Sequence, residues 1–255
     1  MPEKENYSAN RDTDLVVGRN AVTEALRSGR EIDKIFIAAG EVTGPLVPIV
    51  QKCRAAKILV KTVPAKKLDY LCGGLNHQGV IAVVAAHTYC TLEDILALAQ
   101  SRGENPFIII CDCIEDPHNL GAIIRTAEAT GVHGIIIPKH HSASLNATVA
   151  KSASGALEYM NVCKVTNLAA TIDWLKERGI WVYGADMNGE SWNRGDYTSP
   201  TALVIGSEGN GIGRLVREKC DGILSLPMCG KINSLNASVA AGVLMYEVAR
   251  QRILK

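Results

Sequence analysis

The 255-residue chain has no uninterrupted apolar run of the roughly 18 residues that a membrane-crossing helix requires. Its opening stretch, MPEKENYSANRDTD, is charged where a secretory leader would carry an apolar core. A cytoplasmic globular protein with no membrane partner is therefore expected. The eight cysteines include no C-x-x-C pair, so the spacing of a zinc site or a dithiol redox motif is missing and reduced thiols are expected. Neither sign of charge dominates, the formal net charge being +1. Also missing are the Gly-Lys-Ser/Thr ending of a phosphate-binding P-loop and the G-x-G-x-x-G order of dinucleotide sites.

What the chain does contain is enough apolar sequence, 47%, for one large domain or two smaller ones. Its charge is unevenly spread. Residues 15–86 hold ten Lys and Arg against five Asp and Glu, whereas residues 105–255 hold fourteen of each. A basic module joined to a neutral body suits a phosphate-rich partner, although lysines on solvated helix faces give the same count.

Residues 1–14 are polar and aperiodic, and a disordered tail is expected there. From residue 15 to 88 the pattern predicts a small α/β domain. Its strands fall at Lys34–Ala38, Ile58–Lys61 and Val80–Ala85, and its helix at Asn20–Arg27 is stopped by Gly29. Residues 89–105 read as a linker helix, TLEDILALAQ, with Thr91 as its cap and acidic residues in its first turn.

The domain at 106–255 opens with FIIICDCI at 107–114, and further strands are expected at Gly134–Ile137, Ile180–Tyr183, Ala202–Ile205 and Ile223–Leu226. Helical patterns lie between and after them at Leu120–Ala129, Leu168–Glu177 and Ala237–Arg252. Strands apolar throughout and separated by helices predict a mainly parallel sheet covered on both faces. Ligands of such sheets bind outside the carboxyl ends of the strands.

Three loops at those ends are unusual. In Glu115–Ala127, Pro117 and Asn119 suit a helix start, and Arg125 follows Asn119 by six residues. That is about 600° of helical rotation, so the two converge only if Asn119 lies in the turn and Arg125 reaches back; a surface arginine is the ordinary alternative. In GSEGNG at 206–211, three glycines let backbone N–H groups approach a ligand. Glu208 at the centre would repel a phosphate, so it is expected to hold donor groups or to pair with an arginine. The last loop, LPMCGKINSLNAS at 226–238, offers Ser234, Asn236 and Ser238 as helix caps, more than capping requires.

Together these loops resemble the three signature motifs of the SpoU, or TrmH-like, branch of the SPOUT RNA methyltransferases. The matching patterns are N-L-G-x-x-x-R-T-A, G-x-E-G-x-G and L-P-M-x-G-x-x-x-S-L-N-x-S-x-A, in that order. VGRNAVTEAL at 17–26 resembles the start of the substrate-binding domain of the same enzymes, nearest to the RlmB-type members that methylate a guanosine ribose in large-subunit ribosomal RNA. The resemblance implies a homodimer with a carboxyl-terminal α/β domain whose last part forms a deep trefoil knot, an exception to the general absence of knots. It also implies S-adenosylmethionine bound at Gly206, Leu226 and Leu235, with Ser207, Gly211 and Met228 beside them. Asn119, Arg125, Glu208, Ser234 and Asn236 are its implied catalytic positions, with no metal. The Arg of one subunit is expected near the cofactor of the other, and the basic module is expected to grip structured RNA.

A guanidinium with a pKa above about 12 is a poor proton acceptor. Arg125 is therefore expected to stabilise the developing alkoxide and orient an RNA phosphate, with Glu208 and Asn119 fixing it. His118 is the other candidate base, read here as structural or RNA-contacting; His140 and His141 read as loop residues. Transfer RNA as substrate, a non-catalytic RNA-binding role and a dinucleotide-binding enzyme are the competing readings.

Overall fold

A computed structural model describes residues 15–27, 32–40, 44–84, 87–231 and 234–253. The tail expected at 1–14, the Gly29 stop, Ala85 of a predicted strand, and Ile232 and Asn233 of the last loop lie outside the described residues. The chain forms two compact units: one runs to Thr88 and includes Ser144–Ala147, the other comprises Tyr89–Ala143 and Thr148 onward.

In the first unit β1 (Leu15–Val17), β2 (Ile32–Ala38), β3 (Leu59–Val63) and β4 (Val80–Val84) form a sheet in the order β1-β4-β2-β3. Only the β2–β3 pair is parallel. Because strand side chains alternate between faces, Ile35 and Ile37 of β2 meet Val22 of α1 (Arg19–Arg27) and Ile49 and Cys53 of α2 (Leu46–Ala55). Phe36 between them turns to the opposite face, with Leu68 of α3 (Ala65–Leu71). Pro45 and Pro48 in the sequence disguise α2 as a loop, yet one caps the helix and the other lies in its first turn, where a missing N–H costs nothing.

The second unit contains β5 (Phe107–Cys111), β6 (Gly134–Pro138), β7 (Val162–Val165), β8 (Trp181–Ser191), β9 (Thr201–Ile205) and β10 (Gly222–Ser225). They form a parallel sheet in the order β10-β8-β9-β5-β6-β7. Every residue of β5 and β9 is buried, which explains their unbroken apolar runs. The helices are α4 (Leu92–Arg102), α5 (Pro117–Ala129), α6 (Ala147–Ala153), α7 (Leu168–Lys176), α8 (Arg214–Lys219) and α9 (Ala237–Ile253). α4, in the segment read as a linker, packs Ile95 into this unit's core with Ile108 and Ile136. Its start is the expected Thr91 cap, the Thr91 hydroxyl accepting from the Asp94 N–H at 3.2 Å while the Asp94 carboxylate accepts from the Thr91 N–H at 2.8 Å.

Two strand ends differ from the sequence pattern. The apolar run expected to reach residue 114 stops at Cys111; the Asp112 N–H still donates to the Ile205 carbonyl at 2.8 Å, and Cys113 then turns the chain at a φ of 59°. β8, expected to end at Tyr183, continues to Ser191 through the polar residues ADMNGES. It keeps pairing with β10 across a register shift between Ile223 and Leu224, a bulge that hydropathy does not reveal.

α9 runs against the sheet so that its start lies at the carboxyl ends of the strands. At its other end Arg252 donates to the carbonyls of Asn105 at 2.6 Å and Ser199 at 2.7 Å, just ahead of β5 and β9. β5 has β6 on one side and β9 on the other, so the chain winds in opposite directions from it and leaves a crevice at that edge.

His133, 1% exposed, ties the amino edge of the sheet: its Nδ1 accepts from the Phe107 N–H at 3.0 Å and its Nε2 faces Glu104 at 3.0 Å. Burial pushes its pKa below the ordinary value and outweighs the pull of Glu104 in the other direction. The unfolded chain therefore takes up this proton first, so the contribution is complete above about pH 6.5 and declines as the pH falls through that value. Thermal melts between about pH 5 and 7.5 are expected to show a shallower loss toward acid in His133→Gln than in the parent.

Candidate active site

The loop after β9 folds back on itself. The Ser207 N–H donates to the Gly211 carbonyl at 3.1 Å, the Gly211 N–H returns a bond to the Ser207 carbonyl at 2.8 Å, and Gly211 takes a φ of 63°. A Cβ on Gly206 would lie 2.2 Å from the carbonyl carbon of Gly211, so this closed loop admits no side chain at 206. Asp112, which sequence reasoning passed over, secures the loop's far end by accepting from the Gly213 N–H at 2.7 Å. A carboxylate directly after a buried strand was the available signal.

Beneath the loop, at the carboxyl ends of β8, β9 and β10, lies a cavity of about 300 Å³. Gly206, Ser207, Gly211, Leu226, Met228 and Leu235 all line it, as do Glu208 and Ser234. Met228 and Leu235 are 37% and 39% exposed, so neither is a core residue. Asp186 and Asn188, from the polar half of β8, also line the cavity and were missed because the strand itself was cut short. Burial tends to raise the Asp186 pKa, but the Asn188 N–H at 2.9 Å and the Arg217 guanidinium at 2.5 Å hold it below its ordinary value. Apolar walls with a few placed polar groups and a glycine-rich backbone turn are the composition of a small-molecule site.

A cluster of Asn119, Glu208 and Asn236 joins α5, the glycine loop and the start of α9. Glu208 Oε1 accepts from Asn119 Nδ2 at 3.1 Å, from Asn236 Nδ2 at 2.5 Å and from the Ala237 N–H at 3.3 Å. Asn236 Nδ2 also donates to Asn119 Oδ1 at 2.9 Å. Of the three candidate caps of α9, Asn236 serves, its Oδ1 accepting from the N–H groups of Ser238 at 3.0 Å and Val239 at 3.3 Å. On the other side of Glu208 is a second hollow of about 360 Å³, reached by Asn119, Glu115, Asp116 and His141. Residues 207–210 and Ala237 line both spaces, so Glu208 stands in the wall between them.

Two expectations are corrected. Asn119 is not the cap of α5; Asp116 is, accepting from the His118 N–H at 2.8 Å, with Pro117 in the first position. Nor do Asn119 and Glu208 fix Arg125 within the chain. Six residues along α5 carry Arg125 away from Asn119's side of the helix, and its Nη1 donates to Ser154 Oγ at 3.4 Å. Glu208, expected to hold donor groups or to pair with an arginine, holds three donors of the chain itself, two side-chain amides and a backbone N–H. His118 pairs through Nδ1 with Ser152 Oγ at 3.2 Å, and His141, in the loop after β6, with Glu115 at 3.3 Å. Among the described residues no group of three or more His, Cys, Asp or Glu is arranged to hold a metal, and no helix is long and apolar enough to cross a membrane. No disulfide joins the eight cysteines, and burial with the neighbouring Asp112 pushes the Cys111 thiol up to about 12.

The parallel sheet with a cavity at its strand ends and an amide–carboxylate cluster beside it has the layout of an α/β ligand-binding enzyme. The chain belongs to the SpoU rRNA methylase family, whose family model matches residues 106–246. A second model, described as RNA 2′-O ribose methyltransferase substrate binding, matches residues 15–90. The TrmH family protein YacO of Bacillus subtilis strain 168, which carries a tRNA/rRNA methyltransferase name, is 51% identical over 240 residues, 94% of this chain and 96% of that one. Among solved structures, the SpoU methyltransferase AviRb of Streptomyces viridochromogenes, in complex with AdoMet, aligns with a TM-score of 0.60 and 27% identity over 94% of this chain and 91% of its own. An AdoMet-bound rRNA methyltransferase from Sinorhizobium meliloti has the same score and identity over 94% of this chain and 88% of its own.

The Gly206 geometry gives a direct prediction. Gly206→Ala is expected to open the loop and weaken S-adenosylmethionine binding by about a hundredfold or more, since placing a Cβ on backbone atoms displaces the cavity wall. Calorimetric titration checks it, and circular dichroism establishes that the variant remains folded.

Proposed function

We propose that this protein transfers a methyl group from S-adenosylmethionine to a ribose 2′-hydroxyl of structured RNA, with a guanosine of 23S ribosomal RNA as its target. The observation that carries this reading is the Asn119–Glu208–Asn236 cluster standing at the wall of the cavity lined by Gly206, Leu226 and Leu235. The glycine-rich loop and the apolar residues suit the adenine and ribose of the cofactor, held largely through backbone groups. When bound, the cofactor supplies a methyl group activated on a sulfonium.

The chain's own residues have the remaining work. The amide–carboxylate cluster holds the glycine loop and the start of α9 in register, so that Ser234 and Asn236 face the incoming nucleotide. Arg125 stabilises negative charge developing on the ribose oxygen and orients an RNA phosphate. The basic surplus at 15–86 suits phosphate contacts made by shape, the usual way folded RNA is held. That surplus and the ribosomal RNA named in the matching family support ribosomal over transfer RNA.

The position of Arg125 supports a homodimer. Val239, Val243 and Tyr246 are exposed along one face of α9, at 51%, 37% and 58%, and with Ala122 and Thr126 of α5 they line an open apolar groove. Arg125 is the residue before Thr126 on α5. A second copy seated there would cover the apolar stripe and carry each Arg125 toward the partner's cavity, where the chain's own Arg125 does not reach. The trefoil knot belongs to the same reading: Leu226, Met228, Ser234 and Leu235 share one cavity with the loop 206–211, an arrangement that such threading would produce.

Mapping ribose methylation across all ribosomal and transfer RNA in cells with and without the gene tests the proposal. The expected result is loss of one 2′-O-methylguanosine from 23S RNA; loss of a transfer-RNA methyl group instead would overturn the assignment of substrate.

A further inference from the structure

We propose that Ser154 is a positioning residue for Arg125, holding the guanidinium in its working direction before RNA arrives. This rests on the reading of Arg125 given above.

Arg125 is exposed on α5, and a long arginine side chain there loses considerable rotamer freedom when it is aimed. Its Nη1 donates to Ser154 Oγ at 3.4 Å. Ser154 lies in the turn between α6 and the short 3₁₀ segment Ala156–Glu158, and its φ is 50°. Its neighbour Gly155 has a φ of 88°, so the turn places two successive residues in the left-handed region. Glycine is used at the second position, where it carries no strain. At the first position a serine persists although glycine would relieve that strain too, and its hydroxyl touches the arginine proposed to act in the chemistry. Such local strain is retained where the side chain has a task.

The platform under Ser154 is closely packed. A Cβ on Gly121 of α5 would lie 2.4 Å from Ser152 Cβ and 2.8 Å from the Val149 carbonyl oxygen, so α5 and α6 meet at backbone distance. His118 Nδ1 meets Ser152 Oγ at 3.2 Å one turn earlier on α5. Ala153 and Ala156, which flank the turn, are buried. The hydroxyl of Ser154 therefore has a fixed place relative to α5, and a bond to it transfers that fixity to the guanidinium.

The test compares Ser154→Gly, Ser154→Ala and Ser154→Asn with Arg125→Ala in the full-length protein. Single-turnover methyl transfer to ribosomal RNA, RNA affinity, S-adenosylmethionine affinity and melting temperature are measured for each. Loss of the hydroxyl is expected to slow transfer about tenfold in both the Gly and Ala variants, the effect of one hydrogen bond, with both affinities within about twofold. The Gly variant is expected to melt no lower than the parent because it relieves the backbone. Asparagine, which tolerates the left-handed region and offers a carbonyl acceptor, is expected to restore most of the rate. A purely structural role predicts the reverse order, with Gly at the parental rate and Ala impaired in step with its melting temperature. Parental transfer by Ser154→Gly alongside an inactive Arg125→Ala would overturn this inference alone. Parental transfer by Arg125→Ala would overturn the role of Arg125 and this inference with it.

Discussion

Arg125→Ala is expected to lower the single-turnover rate of methyl transfer about a thousandfold, or about 4 kcal/mol of barrier, while S-adenosylmethionine affinity stays within about twofold. The split follows from placement. Arg125 is absent from the cavity lining and its described partner is Ser154, so its loss leaves the cofactor walls intact. In the proposed mechanism it removes a permanently charged fork from the place where the ribose oxygen becomes negative. Arg125→Lys is expected to regain little of the rate, because an ammonium is a point charge that cannot make the paired, planar bonds a guanidinium offers to phosphate. Near-parental rates for either variant, with cofactor binding intact, would remove Arg125 from the chemistry.

Glu208→Ala is expected to be the second most damaging change, slowing transfer about a hundredfold. One oxygen of this carboxylate gathers three donors from two separate chain segments, so its loss frees both Asn119 and Asn236 and uncouples the glycine loop from α9. Glu208 and Asn236 are exposed and Asn119 is half-buried, so water replaces most of the lost bonds and stability is expected to change by less than about 1 kcal/mol. Glu208→Gln keeps a carbonyl acceptor in place without the charge, and a milder loss of about tenfold is expected. Denaturant unfolding beside single-turnover kinetics checks both; an unchanged rate in Glu208→Gln would assign the residue to shaping the loop alone.

The sequence and the structure agree most where one force dominates. Buried parallel strands leave unbroken apolar runs, so β5 and β9 are legible, as is the Thr91 cap with Asp94 three residues on. The polar continuation of β8 is not legible, because its pairing with β10 depends on a bulge and carries no hydropathy signal; with it went Asp186 and Asn188. Short elements such as α3 and α6, seven residues each, contain too few turns to display a period. At the site, the motifs single out candidate residues but not which of them meet. Glu208 next to Asn119 and Asn236 is a tertiary fact spanning more than a hundred residues, and helical rotation alone left open whether Arg125 reached Asn119.

The claim that two copies of this chain together assemble each site is tested most directly by mixing two inactive variants. Arg125→Ala and Glu208→Ala, combined and allowed to exchange subunits, would form mixed dimers in which one site inherits both defects and the other neither. If Arg125 serves the partner's cavity, the equimolar mixture recovers about a quarter of parental activity, since half the dimers are mixed and each has one intact site. Activity that stays at the level of the separate variants, with subunit exchange verified, would contradict the account.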